Sequence, residues 1–405
     1  MGLFSSSSSS DSTCPSIPTG PQYGADAVVG SLTFHTLTII LCGAFTAATF
    51  LFSGVQLFLH ATHFSNPGQQ TQILRIVALV PTFALVFFLA GFIPSAAIYL
   101  QPWADAYEAV ALTSYFLLLV VYTVPDPRLR EGFFDRLQQP KGGEGSLKWY
   151  RRTWCFVFQY LPISFIVAVA TDITQATGTY CVNANSVHFA HIWLTIIHTI
   201  SVLIALPRLL LFYKRLRTEL KEHNVVPKLL AIKGIVALST LQSVIFTILS
   251  STSAVEPSSK LSYDDIYFGI PSILICGEMV FFSLFNFYAY SFRPYTLASS
   301  GSGMESQPLK SRAHYHGGFL GIKALLAAMN PTEIASGLVL AVRYLVSSPQ
   351  PQSHDNVPLR QGVNASAPPP YMPQGRYQGL TNADRAHSPN GVEYGRVDRY
   401  SPLPL

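Results

Sequence analysis

Seven stretches in which apolar residues run almost without interruption set the plan of this chain: Leu32–Leu59, Ile73–Leu100, Ala104–Val124, Trp154–Gln175, Val187–Tyr213, Leu229–Ser250 and Ile266–Phe292. About 20 apolar residues in a helix cross a hydrocarbon core about 30 Å thick, so each is long enough to span. The pattern therefore predicts an all-α fold: a seven-transmembrane helix bundle over residues 31–295, with a cytoplasmic amphipathic helix and a disordered tail after it. Before the bundle, residues 1–30 are Ser-rich and lack an apolar core of their own, which predicts a disordered extracytoplasmic leader. After it comes a polar linker over 296–318. Residues 319–346 then show helical apolar spacing, with Asn330, Pro331 and Glu333 as a helix start and Ile334, Leu338, Val342 and Leu345 as one stripe. Glu333 and Arg343 interrupt that stripe, so an interfacial helix on the cytoplasmic leaflet is expected, or one docked on the bundle's own loops.

Composition agrees with a membrane protein, at 49% apolar and 12% charged residues. Net charge is +5, and its distribution matters more than its size. Arg128, Arg130, Arg136, Lys141, Lys148, Arg151 and Arg152 lie between the third and fourth segments, and Lys214, Arg215, Arg217, Lys221 and Lys228 between the fifth and sixth. Residues 176–186 carry no Lys or Arg, and 251–265 carry only Lys260. Basic loops stay in the cytoplasm, so the alternation places the N-terminus outside and the C-terminus inside, with Arg75 anchoring the inner end of the second span. The basic residues are loop asymmetry and imply no nucleic-acid partner. Tyr99, Trp103 and Tyr107 fit an outer aromatic belt, and Trp149, Tyr150 and Trp154 an inner one.

Ionisable residues inside spans point to function, because they are costly unless turned inward. Glu278 lies midway along Pro271–Arg293, which makes that segment the expected hub of the bundle. Asn286, eight residues on, is about 80° round the helix and can share its side. Gln242, Lys233 and His198 complete the expected substrate pathway, with Asp105 and Glu108 one helical turn apart at its outer mouth and Asp172 near them. Cys14 and Cys181 both fall outside and are positioned for a disulfide in an oxidising compartment. His188, His191 and His198 occupy one segment, a poor match to a three-histidine zinc hydrolase, and no nucleophile elbow or phosphate loop is present. No enzyme activity and no cofactor or metal is expected.

The tail, 347–405, is rich in Pro, Ser, Gln and Asn and is expected to be disordered. Pro368, Pro369 and Tyr371 form a PPxY ligand for a WW-domain ubiquitin ligase, and Tyr377, Tyr394 and Tyr400 fit sorting signals or ligands of a ubiquitin-like autophagy protein.

Three stretches resemble the organic solute transporter alpha and transmembrane protein 184 family: Ala97–Trp103 continuing to Tyr115, Pro227–Ile235 with Gln242, and Cys276–Met279 with Tyr288–Phe292. The resemblance implies seven helices with the N-terminus outside, export of steroid-like or lipid-like amphipaths, and in one branch a single-span beta subunit. The Pro-rich tail resembles fungal members linked to vacuolar or endosomal membranes and autophagy. Two features depart from the family: Ala237–Leu241 stands where an aromatic run usually precedes Gln242, and Asp105, Glu108 and Glu278 suit an anionic bile acid only when protonated. The expected function is transport of an amphipathic organic solute at the plasma membrane or a vacuolar or other endomembrane. Membrane lipids and a beta subunit or a second copy are the expected partners. The alternatives are a membrane scaffold acting through the tail and a seven-helix receptor, whose usual third- and seventh-span motifs are replaced here by Asp126-Pro-Arg128 and Asn286-Phe-Tyr-Ala-Tyr290.

Overall fold

A computed structural model describes residue 14 and residues 26–137, 145–181, 186–251, 257–296 and 314–346. The tail motifs Pro368, Pro369 and Tyr371, with the tail tyrosines, lie outside the described residues. Among the described residues, seven helical stretches are long and apolar enough to cross a membrane: Phe34–Thr62, Pro67–Phe92, Pro94–Thr123, Ser146–Ala176, Ala190–Arg215, Asp265–Ala289 and Phe319–Val346. The sixth expected span is the 27-residue helix Val225–Ser251, about 40 Å long.

The helices are α1 (Phe34–Thr62), α2 (Pro67–Val77), α3 (Leu79–Phe92), α4 (Ala97–Thr123), α5 (Arg130–Arg136), α6 (Ser146–Phe158), α7 (Tyr160–Ala176), α8 (Ala190–Arg215), α9 (Val225–Ser251), α10 (Ile270–Ala289), α11 (Ile322–Met329) and α12 (Thr332–Val346). The second and fourth spans are each two helices in line, α2–α3 and α6–α7. Pro81 and Pro162 cause the breaks, since each lacks an N–H and its ring meets the carbonyl four residues back, at Val77 and Phe158. Both spans also begin earlier than their apolar runs. Asn66 caps α2 by accepting from Gln69 N, and Gln69, Gln70 and Gln72 make its first turns too polar for the hydropathy pattern to register.

The hub is α4 rather than the seventh span. It packs against α2, α3, α6, α7 and α9 and buries almost every side chain from Ala104 to Tyr122. On α4, Phe116 meets Trp154, Phe158 and Phe212 edge-on in an aromatic core that Tyr150 and Trp149 extend. Tyr150 and Trp154 are therefore core residues, not an interfacial belt. At the other end Trp103 Nε1 donates to Asp172 Oδ2 at 2.9 Å, so the Asp172 carboxylate pairs with an indole.

The apolar stretch Phe319–Val346 is not one rod. It breaks at Asn330–Pro331, and both halves dock on the bundle, α11 along α2 and α12 along α6. Arg75, 4% exposed, holds the break together. Its guanidinium donates to the carbonyls of Ala328 at 2.9 Å and Asn330 at 2.8 Å, to Gln72 Oε1 at 3.1 Å and to Glu333 Oε2 at 3.1 Å. These are the carbonyls a helix end leaves without partners. On α12, Trp154 Nε1 donates to Gly337 O at 2.9 Å, while Leu326, Met329, Leu345 and Val346 stay exposed. A pair of helices with one docked and one apolar face suits a membrane interface.

A Cβ at Gly337 would sit 2.5 Å from the Phe158 ring. Gly337→Ala is therefore expected to cost about 1–3 kcal/mol by overpacking. Hydrogen exchange would show it as faster exchange confined to α12.

Candidate functional site

Two antiparallel helix pairs set the register of the buried polar groups. Tyr115 Oη donates to Val225 O at 3.0 Å, and seven residues back along α4 the carboxylate of Glu108 reaches the ammonium of Lys233 on α9. The side chains of Glu108 and Lys233 are 3% and 15% exposed, so the pair is shielded from solvent. Asp105, one turn away and exposed, is in electrostatic reach of both. On α8, His198 feels the same two charges and lies 5.7 Å from the Tyr160 ring, with its Nε2 buried and making no hydrogen bond among the described residues.

This placement differs from the outer mouth expected for Asp105 and Glu108. Glu108 and Lys233 are direct partners near the middle of α4, and Asp105, Glu108, Lys233 and His198 come together from α4, α8 and α9.

At the C-terminal cap of α10, Tyr290 Oη donates to Lys228 O at 2.8 Å, and within α10 the Phe282 ring lies where a Cβ on Gly234 would be. The same antiparallel register brings Gln242 Nε2 to Glu278 Oε1. Glu278 is half-buried, and its Oε2 makes no hydrogen bond among the described residues. Nine residues separate Lys233 from Gln242, so this second polar level lies about 13 Å further along α9. Asn286 is buried, and Gln56 Nε2 on α1 donates to its main-chain oxygen at 2.8 Å.

That contact belongs to a feature the hydropathy pattern hid. The buried face of α1 is polar along almost its whole length: Thr38, Cys42, Thr46, Thr49, Ser53, Gln56 and His60, three or four residues apart. From Thr38 to His60 the stripe covers about 33 Å, comparable with the hydrocarbon thickness. Thr46 Oγ1 donates to Ala84 O at 3.2 Å, and a His60 ring nitrogen bonds Tyr290 O at 2.8 Å. By contrast Thr38 Oγ1, Thr49 Oγ1, Ser53 Oγ, Gln56 Oε1, His60 Nδ1 and Asn286 Oδ1 make no hydrogen bond among the described residues. A buried polar group without a partner costs about 1–3 kcal/mol, so this polar face is a costly one to bury. The signal was present in the sequence as helical spacing of Thr, Ser, Gln and His inside an otherwise apolar segment.

The seam ends, at the basic end of the bundle, beside a cavity of about 430 Å³ lined by residues of α1–α2, α4, α9 and α10. Lys228, 9% exposed, reaches Tyr122 Oη at 3.1 Å, and His223 stacks flat on the Tyr122 ring at 4.0 Å. Burial, and then the Lys228 ammonium, push the His223 imidazole below its usual pKa.

The family model described as Organic solute transporter Ostalpha matches residues 38–295, well over half of the chain. The chain belongs to the Ostalpha family. A Transmembrane protein 184 homolog of Dictyostelium discoideum is 27% identical over 277 residues, 66% of this chain and 55% of that relative, so the chain spans about half its length. No solved structure matches. Both polar levels, the α1 seam and the cavity fall inside the Ostalpha match, whereas the docked pair α11–α12 lies beyond it. At the other end of this Ostalpha-family chain, Cys14 and Cys181 are joined by a disulfide.

Proposed function

We propose that this Ostalpha-family protein moves amphipathic organic solutes, steroid-like or lipid-like, across its membrane along a path lined by Glu278, Gln242, Asp105, Glu108, Lys233 and His198. The observation that carries the reading is the Glu278 carboxylate: midway along a membrane-length helix, held on one oxygen by Gln242 and with no hydrogen bond on the other among the described residues. A carboxylate at that depth costs about 2.5–3.5 kcal/mol on insertion scales and serves little in packing, so it fits a polar site that a solute occupies. The buried Glu108–Lys233 pair supports the same reading. An apolar replacement for such a pair is often neutral or stabilising, which makes its presence better explained by function than by stability.

In this reading the N-terminus is extracytoplasmic and the basic loops cytoplasmic, and the Cys14–Cys181 disulfide fits an outer, oxidising side. The membrane is a vacuolar or other endomembrane, or the plasma membrane.

Radiolabelled uptake of sterol conjugates and other amphipaths into vesicles tests the proposal. Wild type should accumulate at least one of them. Glu278→Gln, an isosteric change, should lower the rate about tenfold or more, equivalent to about 1.4 kcal/mol, with the melting temperature unchanged. Equal rates for the two proteins would remove Glu278 from the path, and no uptake of any compound by folded wild type would count against transport.

A further inference from the structure

The cavity at the basic end is lined by Ser65, Asn66 and Gln69 from the start of α2, by Glu222, His223, Asn224 and Lys228 around the start of α9, by Tyr288 at the end of α10 and by Ser291 and Tyr295 after it, among others. Three features give it a preference. First, Lys228 is buried there, with one ammonium hydrogen on Tyr122 Oη and one on His223 O, which leaves a third for a guest. Second, two helices start at its wall. Asn66 caps α2, and Asn224, in the left-handed conformation at φ 47°, turns the chain into α9, so the positive ends of both helix dipoles meet the cavity. Third, the remaining wall is rich in uncharged hydrogen-bonding groups, with the Glu222 carboxylate as an acceptor. His223, stacked face-on with Tyr122, turns its ring edge and both nitrogens away from that ring.

A bare phosphate would fill little of about 430 Å³, a volume typical of sites for small organic ligands. A cation and two helix N-termini suit a phosphate group. The Asn, Gln, Ser and Glu side chains suit the hydroxyls of a polyol. Tyr288, 72% exposed, forms a lip on the outer surface of α10, where an acyl chain could leave the cavity.

We propose that this cavity binds a phosphorylated polyol, as the headgroup of a phosphoinositide or as a free sugar or inositol phosphate. The assignment stands apart from the transport path and does not depend on transport being the function.

The test uses the full chain in nanodiscs of phosphatidylcholine, with binding of a fluorescent phosphatidylinositol 4-phosphate as the readout. Soluble inositol 1,4-bisphosphate, inorganic phosphate and phosphatidylcholine serve as competitors. Wild type should prefer the phosphoinositide to phosphatidylcholine by about tenfold or more. Lys228→Gln and Ser291→Leu, which fills the cavity without touching the cation, should each lose that preference. Lys323→Gln, which removes an exposed charge on α11, should keep it. Full competition by the soluble bisphosphate assigns the site to a free ligand, and its failure assigns it to the lipid headgroup; both support the cavity. Equal binding of the two lipids by wild type would overturn the proposal. So would a preference that survives in both Lys228→Gln and Ser291→Leu, or one that is lost only in Lys323→Gln.

Discussion

Replacing Lys233 by Met is expected to destabilise the protein by about 3–5 kcal/mol, because it strands the Glu108 carboxylate in the bundle with no counter-charge. Glu108 has almost no route to water at 3% side-chain exposure, and α4 packs against α2, α3, α6, α7 and α9. The loss should appear as a lower thermal midpoint and a smaller folded fraction in detergent. The double variant Glu108→Gln/Lys233→Met removes both charges and should recover most of the stability. The size of the recovery separates the cost of a stranded charge from the net worth of the pair. In the proposed path these two charges meet the solute, so transport should stay impaired in the double variant. A double variant as unstable as Lys233→Met would mean that Lys233 acts through packing of its stem rather than through its charge.

Arg75→Met should have the next largest effect, and a local one. It removes a guanidinium whose donors satisfy the carbonyls of Ala328 and Asn330 at the break between α11 and α12. Hydrogen bonds to a charged group contribute about 1.5–3 kcal/mol each, so a net loss of roughly 3 kcal/mol in docking of residues 319–346 is expected. The bundle should keep its fold while α11 and α12 gain hydrogen exchange and become open to protease near Asn330. Glu333→Gln should cost less than about 1 kcal/mol, because Glu333 is 43% exposed and solvent screens its side of the pair.

Apolar runs identify helices because a membrane-length stretch has no other way to satisfy its backbone, and the helices were legible on that ground. What the runs conceal is which face of a helix is polar. A hydropathy window averages Thr38, Thr49, Ser53 and Gln56 into the apolar residues around them, so α1 reads as lipid-like although its buried side is a polar stripe. The individual polar residues Glu278, Gln242, Glu108 and Lys233 stood out in the sequence, but their partners did not. Glu108 and Lys233 are 125 positions apart, and their meeting depends on the antiparallel register of α4 and α9. Arg75 shows the same limit. Charge counting assigns it to an interface, whereas its donors are taken by carbonyls more than 250 positions away.

Thiol accessibility tests most directly whether the level at Glu278 lines a path open to water and solute. With the free cysteines Cys42, Cys155 and Cys276 replaced by Ala and the disulfide kept, Glu278→Cys and Phe281→Cys would be treated in vesicles with a membrane-impermeant thiol reagent. Phe281 is 62% exposed on the outer surface of α10 and should face lipid. A polar path predicts that the thiol at 278 reacts, that an amphipathic solute slows the reaction, and that the thiol at 281 stays unlabelled. A thiol at 278 as inert as the one at 281, in folded protein, would contradict it.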